Sequence, residues 1–150
     1  MRKKMTPPVA SPEVGVTPVI ALTLQTMTIE RSGSVEWAVE GDHHCGPKAL
    51  LKPSKNNPAV NVIPVNYTVR VTCEPHLDER GFLFDQAMVD LWMQRQASYV
   101  TKLSCEALVV ETAKAMLLKM ARDVPHCKVK ELVMTLSPAP HQAGVTCRFA

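Results

Sequence analysis

The stretch Asn66–Glu74 constrains the fold more tightly than any other part of the chain. Tyr67, Val69, Val71 and Cys73 alternate with Asn66, Thr68, Arg70, Thr72 and Glu74. Side chains in a strand point to opposite faces in turn, so this segment has one apolar and one polar side. Such a strand belongs in an antiparallel sheet with a single buried face. The same pattern extends the strand back to about Val62, and Pro75, which has no N–H to donate, ends it.

Something must cover the apolar face, and the next segments supply it. Asp78-Glu79-Arg80-Gly81 reads as a solvated corner, and Asp85 can cap a helix with apolar positions Met88, Leu91 and Trp92. Ser104 caps a longer helix, in which Leu108, Val109, Thr112, Ala113, Met116, Leu117 and Met120 recur at helical spacing until Pro125 stops it. Two further strands are predicted, Lys128 to Leu136 and Gly144 to Phe149, joined by the proline- and glycine-rich residues 137–144. Upstream, Ile20, Leu22 and Leu24 alternate with smaller or polar residues, and Met27 and Ile29 continue out of phase, which predicts a bulged strand. Arg31-Ser-Gly-Ser34 is turn chemistry, and Val35, Trp37 and Val39 alternate after it, so a hairpin is predicted here.

The order is strands, two helices, strands: an α+β domain spanning residues 18–150, with two helices on one face of an antiparallel sheet. Residues 1–17 read as a flexible proline-rich tail. Residues 41–61 hold three prolines, two glycines and three asparagines and form a long loop, a common place for function.

Composition narrows the partners. A net charge of +3, with basic residues scattered and no aromatics interleaved, excludes a nucleic-acid binder. The apolar run Val19–Leu24 is too short for a membrane span or signal core. The five cysteines have no C-x-x-C spacing, and several fall inside predicted elements. They read as reduced, mostly buried thiols of a cytoplasmic protein.

The chain resembles the tunnelling-fold (T-fold) superfamily, and within it the family of 6-pyruvoyl-tetrahydropterin and 6-carboxy-tetrahydropterin synthases. The resemblance rests on Asn66-Tyr67 opening a strand, on the corner Asp78 to Asp85, and on Ser104-Cys-Glu106 opening the second helix. It covers roughly residues 50 to 150. It implies a ββααββ domain that closes into an oligomeric barrel, and a pterin- or purine-like heterocycle as ligand. If the protein is active, it implies a lyase that uses zinc. On that basis Glu106 and Glu131 are the candidate ring anchors, Cys45 and His76 the candidate catalytic residues, and His43 and His44 the candidate metal ligands. The family's His-x-His before the Asn-Tyr pair is replaced by Val62-Ile-Pro-Val65. A divergent or inactive lyase, or a non-catalytic oligomeric binding protein on the same fold, therefore stands beside the active enzyme. A further resemblance, to dihydroneopterin aldolases, is carried by residues 105–114 and the Gly144-Val145 strand, but Ser137 stands where that family has lysine. Asp42-His43-His44-Cys45 has the residue types for a zinc site, and a solvated polar loop is the favoured reading of it.

Overall fold

The chain builds its sheet around the one-sided strand read above. The structure, a computed structural model, describes residues 18–40, 51–55, 60–101, 104–138 and 144–150. The central strand β3 runs Asn61–Cys73, flanked by β1, Met27–Val39, and β4, Val129–Pro138; β5, Val145–Phe149, completes the order β1-β3-β4-β5, with all pairings antiparallel. The two-residue strand β2, Lys52–Pro53, pairs with β3 at Val62 and Asn61, beyond the last β3–β4 pair at Val65↔Pro138. Pro64 thus sits where β3 has neither β2 nor β4 beside it, a position that tolerates a missing donor.

Helices α1, Ala87–Ala97, and α2, Cys105–Asp123, cover one face, α1 packing on β1 and α2 on β4 and β5. Ser104 caps α2, its side chain accepting the Ala107 N–H at 3.2 Å. The stripe on α2 holds as predicted, with Leu117 half-buried at its margin. In α1 the buried residues are Val89, Trp92, Met93 and Ala97, whereas Leu91 is exposed. The apolar stripe is therefore rotated from the predicted one.

The fold is the predicted α+β architecture, an antiparallel sheet with both helices on one side. Trp37, Val39, Ile63, Val65, Val69, Val71, Leu132, Met134 and Leu136 supply the sheet's half of the core. The other face carries hydroxyl pairs, Thr28–Thr72 at 2.9 Å, Ser32–Thr68 at 3.1 Å and Thr135–Thr146 at 2.7 Å.

The hairpin expected around residues 31–34 does not form. Residues 27–39 are one strand, and Gly33 lies within it, opposite Tyr67. The glycine serves a close approach instead of a turn. A β-carbon there would lie 2.6 Å from Cζ of the Tyr67 ring, which crosses over the bare backbone. Gly81, in contrast, is a turn glycine with φ +85°, at the corner where the sequence placed it.

The proposed tail, residues 1–17, and most of the long loop lie outside the described residues. Among the described residues no helix is long and apolar enough to cross a membrane.

Candidate functional site

A cleft of about 430 Å3 opens where β3 turns through the corner into α1. Its walls are Arg31 from β1, Asp78, Arg80 and Phe82 from the corner, and Asp85 and Gln86 at the start of α1.

The corner is built by local hydrogen bonds. Asp78 Oδ1 accepts the N–H groups of Arg80 at 2.9 Å and Phe82 at 3.0 Å, while Phe82 O accepts the Asp78 N–H at 2.8 Å. The Phe82 and Arg80 N–H groups hold the Asp78 carboxyl below its ordinary pKa, so it is a carboxylate at neutral pH. The loop folds this way because an aspartate can bond the backbone ahead of it and Gly81 adopts positive φ. Leu83 O, next along, accepts from His126 Nε2 at 2.7 Å and Cys127 Sγ at 3.1 Å, which ties the corner to the end of α2. Asp85 Oδ1 accepts the Ala87 N–H at 3.0 Å just ahead of α1; the N-cap position itself is Gln86, without a side-chain cap bond, so the cap expected at Asp85 is displaced by one residue.

Arg31, one of the residues lining the cleft, belongs to a three-residue cluster. Arg31 reaches from β1 to Asp90 on α1, with Nη2–Oδ2 at 2.6 Å and Nε to Oδ2 and Oδ1 at 3.1 and 3.3 Å. Tyr67 Oη donates to the same carboxylate at 2.5 Å. The Arg31 hydrogen bonds, then that of Tyr67, hold Asp90 below the ordinary carboxylate range. Burial, then the bond to Asp90, pushes the Tyr67 phenol well above its usual value. Tyr67 is therefore a fixed neutral donor, and the cluster is a brace between β1, β3 and α1.

With Arg31 committed to Asp90, the groups left for a ligand are at the rim. Phe82 is 53% exposed, and the Arg80 guanidinium stands 5.4 Å from its ring centroid, a flat surface with a cation behind it. Among the described residues, Asp78 Oδ2 and Asp85 Oδ2 have no hydrogen-bond partner. This pairing of an exposed aromatic face with acceptors suits a planar ligand that carries N–H groups along one edge.

Those candidate site residues from the sequence that the structure describes lie elsewhere. Glu106 is exposed in the first turn of α2. Glu131 is on the opposite face of the sheet, accepting from Arg148 Nε at 2.6 Å. His76 is exposed beyond β3, its Nε2 3.1 Å from Glu74 Oε1. Glu106 and Glu131 are separated by the sheet and the helix layer. His43, His44 and Cys45 lie outside the described residues. Among the described residues no group of three His, Cys, Asp or Glu side chains could hold a metal ion. At the positions where the resemblance would place two zinc histidines, Ile63 and Val65 are fully buried in the core. Those positions do not fit the metal.

Arg31, Phe82 and Asp90 escaped the sequence analysis. The turn chemistry of residues 31–34 hides Arg31; as a strand residue in phase with Val35 and Trp37, it is a charged side chain on the covered face, and that is the signal that flags it.

No protein-family model matches the sequence, and no curated protein does. Solved structures do match in fold. The 6-pyruvoyl tetrahydropterin synthase of Plasmodium vivax aligns with 83% of this chain and 98% of its own, at TM-score 0.53 and 8% identity. A catalytic-residue variant of that enzyme gives 0.54 over the same coverage. The Plasmodium falciparum enzyme gives 0.50, covering 84% of this chain and 99% of its own, again at 8% identity. The fold is thus similar to that of these synthases, the T-fold that the sequence resemblance implied.

Proposed function

We propose that this chain binds a pterin- or purine-like heterocycle at the corner cleft, as a homo-oligomer on the synthase-like fold and without the zinc lyase chemistry of that family. The observation that supports it is the cleft itself, in which the Phe82 face lies beside the free acceptors of Asp78 and Asp85. A cavity of about 430 Å3 falls in the range that accommodates a small ligand. In this reading the ring stacks on Phe82, and its N–H edge is held by the two carboxylates. The replacement of the family's His-x-His by buried apolar residues favours binding over catalysis.

Calorimetric titration with a panel of pterins and purines tests this reading. Binding should weaken at least roughly tenfold in Phe82→Ala, the loss of one stacking contact. It should be unchanged in Glu106→Gln and Glu131→Gln, the alternative ring anchors. If the two glutamate variants lose binding and Phe82→Ala keeps it, the ligand site belongs to the glutamates. If no member of the panel binds, the heterocycle reading falls.

The lyase reading, with His43 and His44 holding zinc and Cys45 and His76 moving protons, is separated by metal analysis. It requires about one tightly held zinc per chain, as a three-ligand catalytic site would hold, lost in His43→Ala/His44→Ala. Purified protein that is folded and free of metal excludes it.

A further inference from the structure

Residues 18–26 leave the sheet at the start of β1 as a segment with no strand pairing among the described residues, and their large aliphatic side chains stand in solvent: Val19 95% exposed, Ile20 79%, Leu22 86% and Leu24 67%. The run 18–29 holds no charged residue. Scattered exposed aliphatics are ordinary, but four within six consecutive residues form a contiguous sticky arm.

The arm is out of phase with its own core. In β1 the core-facing residues are odd-numbered, Val35, Trp37 and Val39. The three alternating aliphatics of the arm are even-numbered. A pleat continued from Met27 would turn Ile20, Leu22 and Leu24 toward the polar face of the sheet, away from the helices. Their match lies elsewhere.

A matching surface is present at the opposite border of the sheet. β5 pairs with β4 only over Leu132–Leu136, so on that side the backbone of Val129–Glu131 has no strand beside it among the described residues. Next to this free edge a groove of about 440 Å3 runs between the second half of α2 and the start of β4, lined by Leu117, Ala121, Pro125, Cys127 and Val129 with Lys128 as its one charge. Free backbone edge and apolar groove together form a receptor for an extended apolar strand.

We infer that the arm of one copy docks on a second copy of this chain, its backbone along the free edge of β4 and its Ile20, Leu22 and Leu24 side chains in the groove beside α2. The second copy is the occupant because arm and groove sit at opposite borders of the order β1-β3-β4-β5. A contact from one border to the other is head-to-tail, and it generates a ring where the rotation between successive copies closes. This rests on the homo-oligomer reading above and gives it a specific interface.

Two measurements on the full chain test it. In sedimentation velocity at micromolar concentration, the L22D/L24D variant should shift from the oligomer to the monomer. Far-UV circular dichroism should be unchanged, because both side chains are solvent-exposed within one copy. A photo-crosslinker at position 22, in a mixture of light and isotope-labelled protein, should yield peptides joining the arm of one copy to residues 117–129 of another. An unaltered oligomer in L22D/L24D, or crosslinks confined within single copies, overturns the arm while leaving self-association standing. A monomeric unmodified protein overturns both.

Discussion

The two ends of the β1–β3 ribbon have opposite chemistry. At one end Trp37 lies opposite Ile63 and Val35 opposite Val65, all buried together with Val39, and Thr101 closes the outer border by exchanging backbone hydrogen bonds with Ala38 and Glu40. At the other end, Arg31, paired with Asp90, lines an open cleft together with Asp78, Arg80 and Phe82. The first end resembles a hydrophobic core cut to fit, and the second a binding site. The fold is shared with pterin synthases. In this chain the dry end is where the resemblance would have placed the metal, so the same frame presents its polar groups at the corner instead.

The comparison breaks most readily at the dry end. Trp37 is 1% exposed. Trp37→Ala should cost about 3–5 kcal/mol in chemical denaturation, the transfer loss plus the cavity left behind. A cost under about 1 kcal/mol would mean that this end is not close-packed.

The boundary between the two ends is Gly33 under the Tyr67 ring. Gly33→Ala should destabilise by about 1–3 kcal/mol, because the added methyl displaces an aromatic ring that is pinned by Asp90. Combining it with Tyr67→Ala should give less than the sum of the single effects, since the clash has then gone. Additive effects would show that the ring does not cover the glycine.

At the Arg31–Asp90–Tyr67 cluster the expected effects are smaller and depend on pH. Asp90 is about a third exposed, so Asp90→Asn should cost only about 1 kcal/mol at neutral pH. Its folded-state pKa is depressed, so its contribution is present above the ordinary carboxylate value near 3.9 and is lost as the pH falls through the folded value. The native protein and the Asn variant should therefore converge in stability at acid pH. Parallel curves down to acid pH would show that the Arg31–Asp90–Tyr67 cluster carries no linked proton.

Much of this fold was legible, and what was not has a common cause. The α2 stripe and the two faces of β3 depend on local periodicity, and both appear where the pattern put them. The false hairpin came from reading Ser32-Gly33-Ser34 locally, when the glycine answers to Tyr67 on another strand. The Arg31–Asp90–Tyr67 cluster joins residues far apart in the chain: Arg31 and Asp90 are separated by 59 positions, and Tyr67 and Asp90 by 23. No spacing rule brings them together. In α1 the phase slipped because Leu91 looks like a core residue, yet Val89 and Met93 take the inner face. The corner itself was legible as a turn. Its use as a cleft depends on Arg31, which a turn assignment had removed from the sheet.

The smallest expected effect on stability falls on the residue assigned the largest role in binding. Phe82 is half-exposed, and its ring stands beside the Arg80 guanidinium, so Phe82→Ala should change stability by less than about 0.5 kcal/mol. Its backbone N–H still donates to Asp78, so the turn should survive the loss of the ring. A large aromatic at a position that contributes little to folding is free to serve a ligand. Denaturation of Phe82→Ala alongside the titration therefore sharpens the contrast between the ends: unchanged stability with lost binding marks the corner as a site. A loss of more than about 2 kcal/mol would instead make Phe82 part of the packing and return the corner to the same class as the dry end.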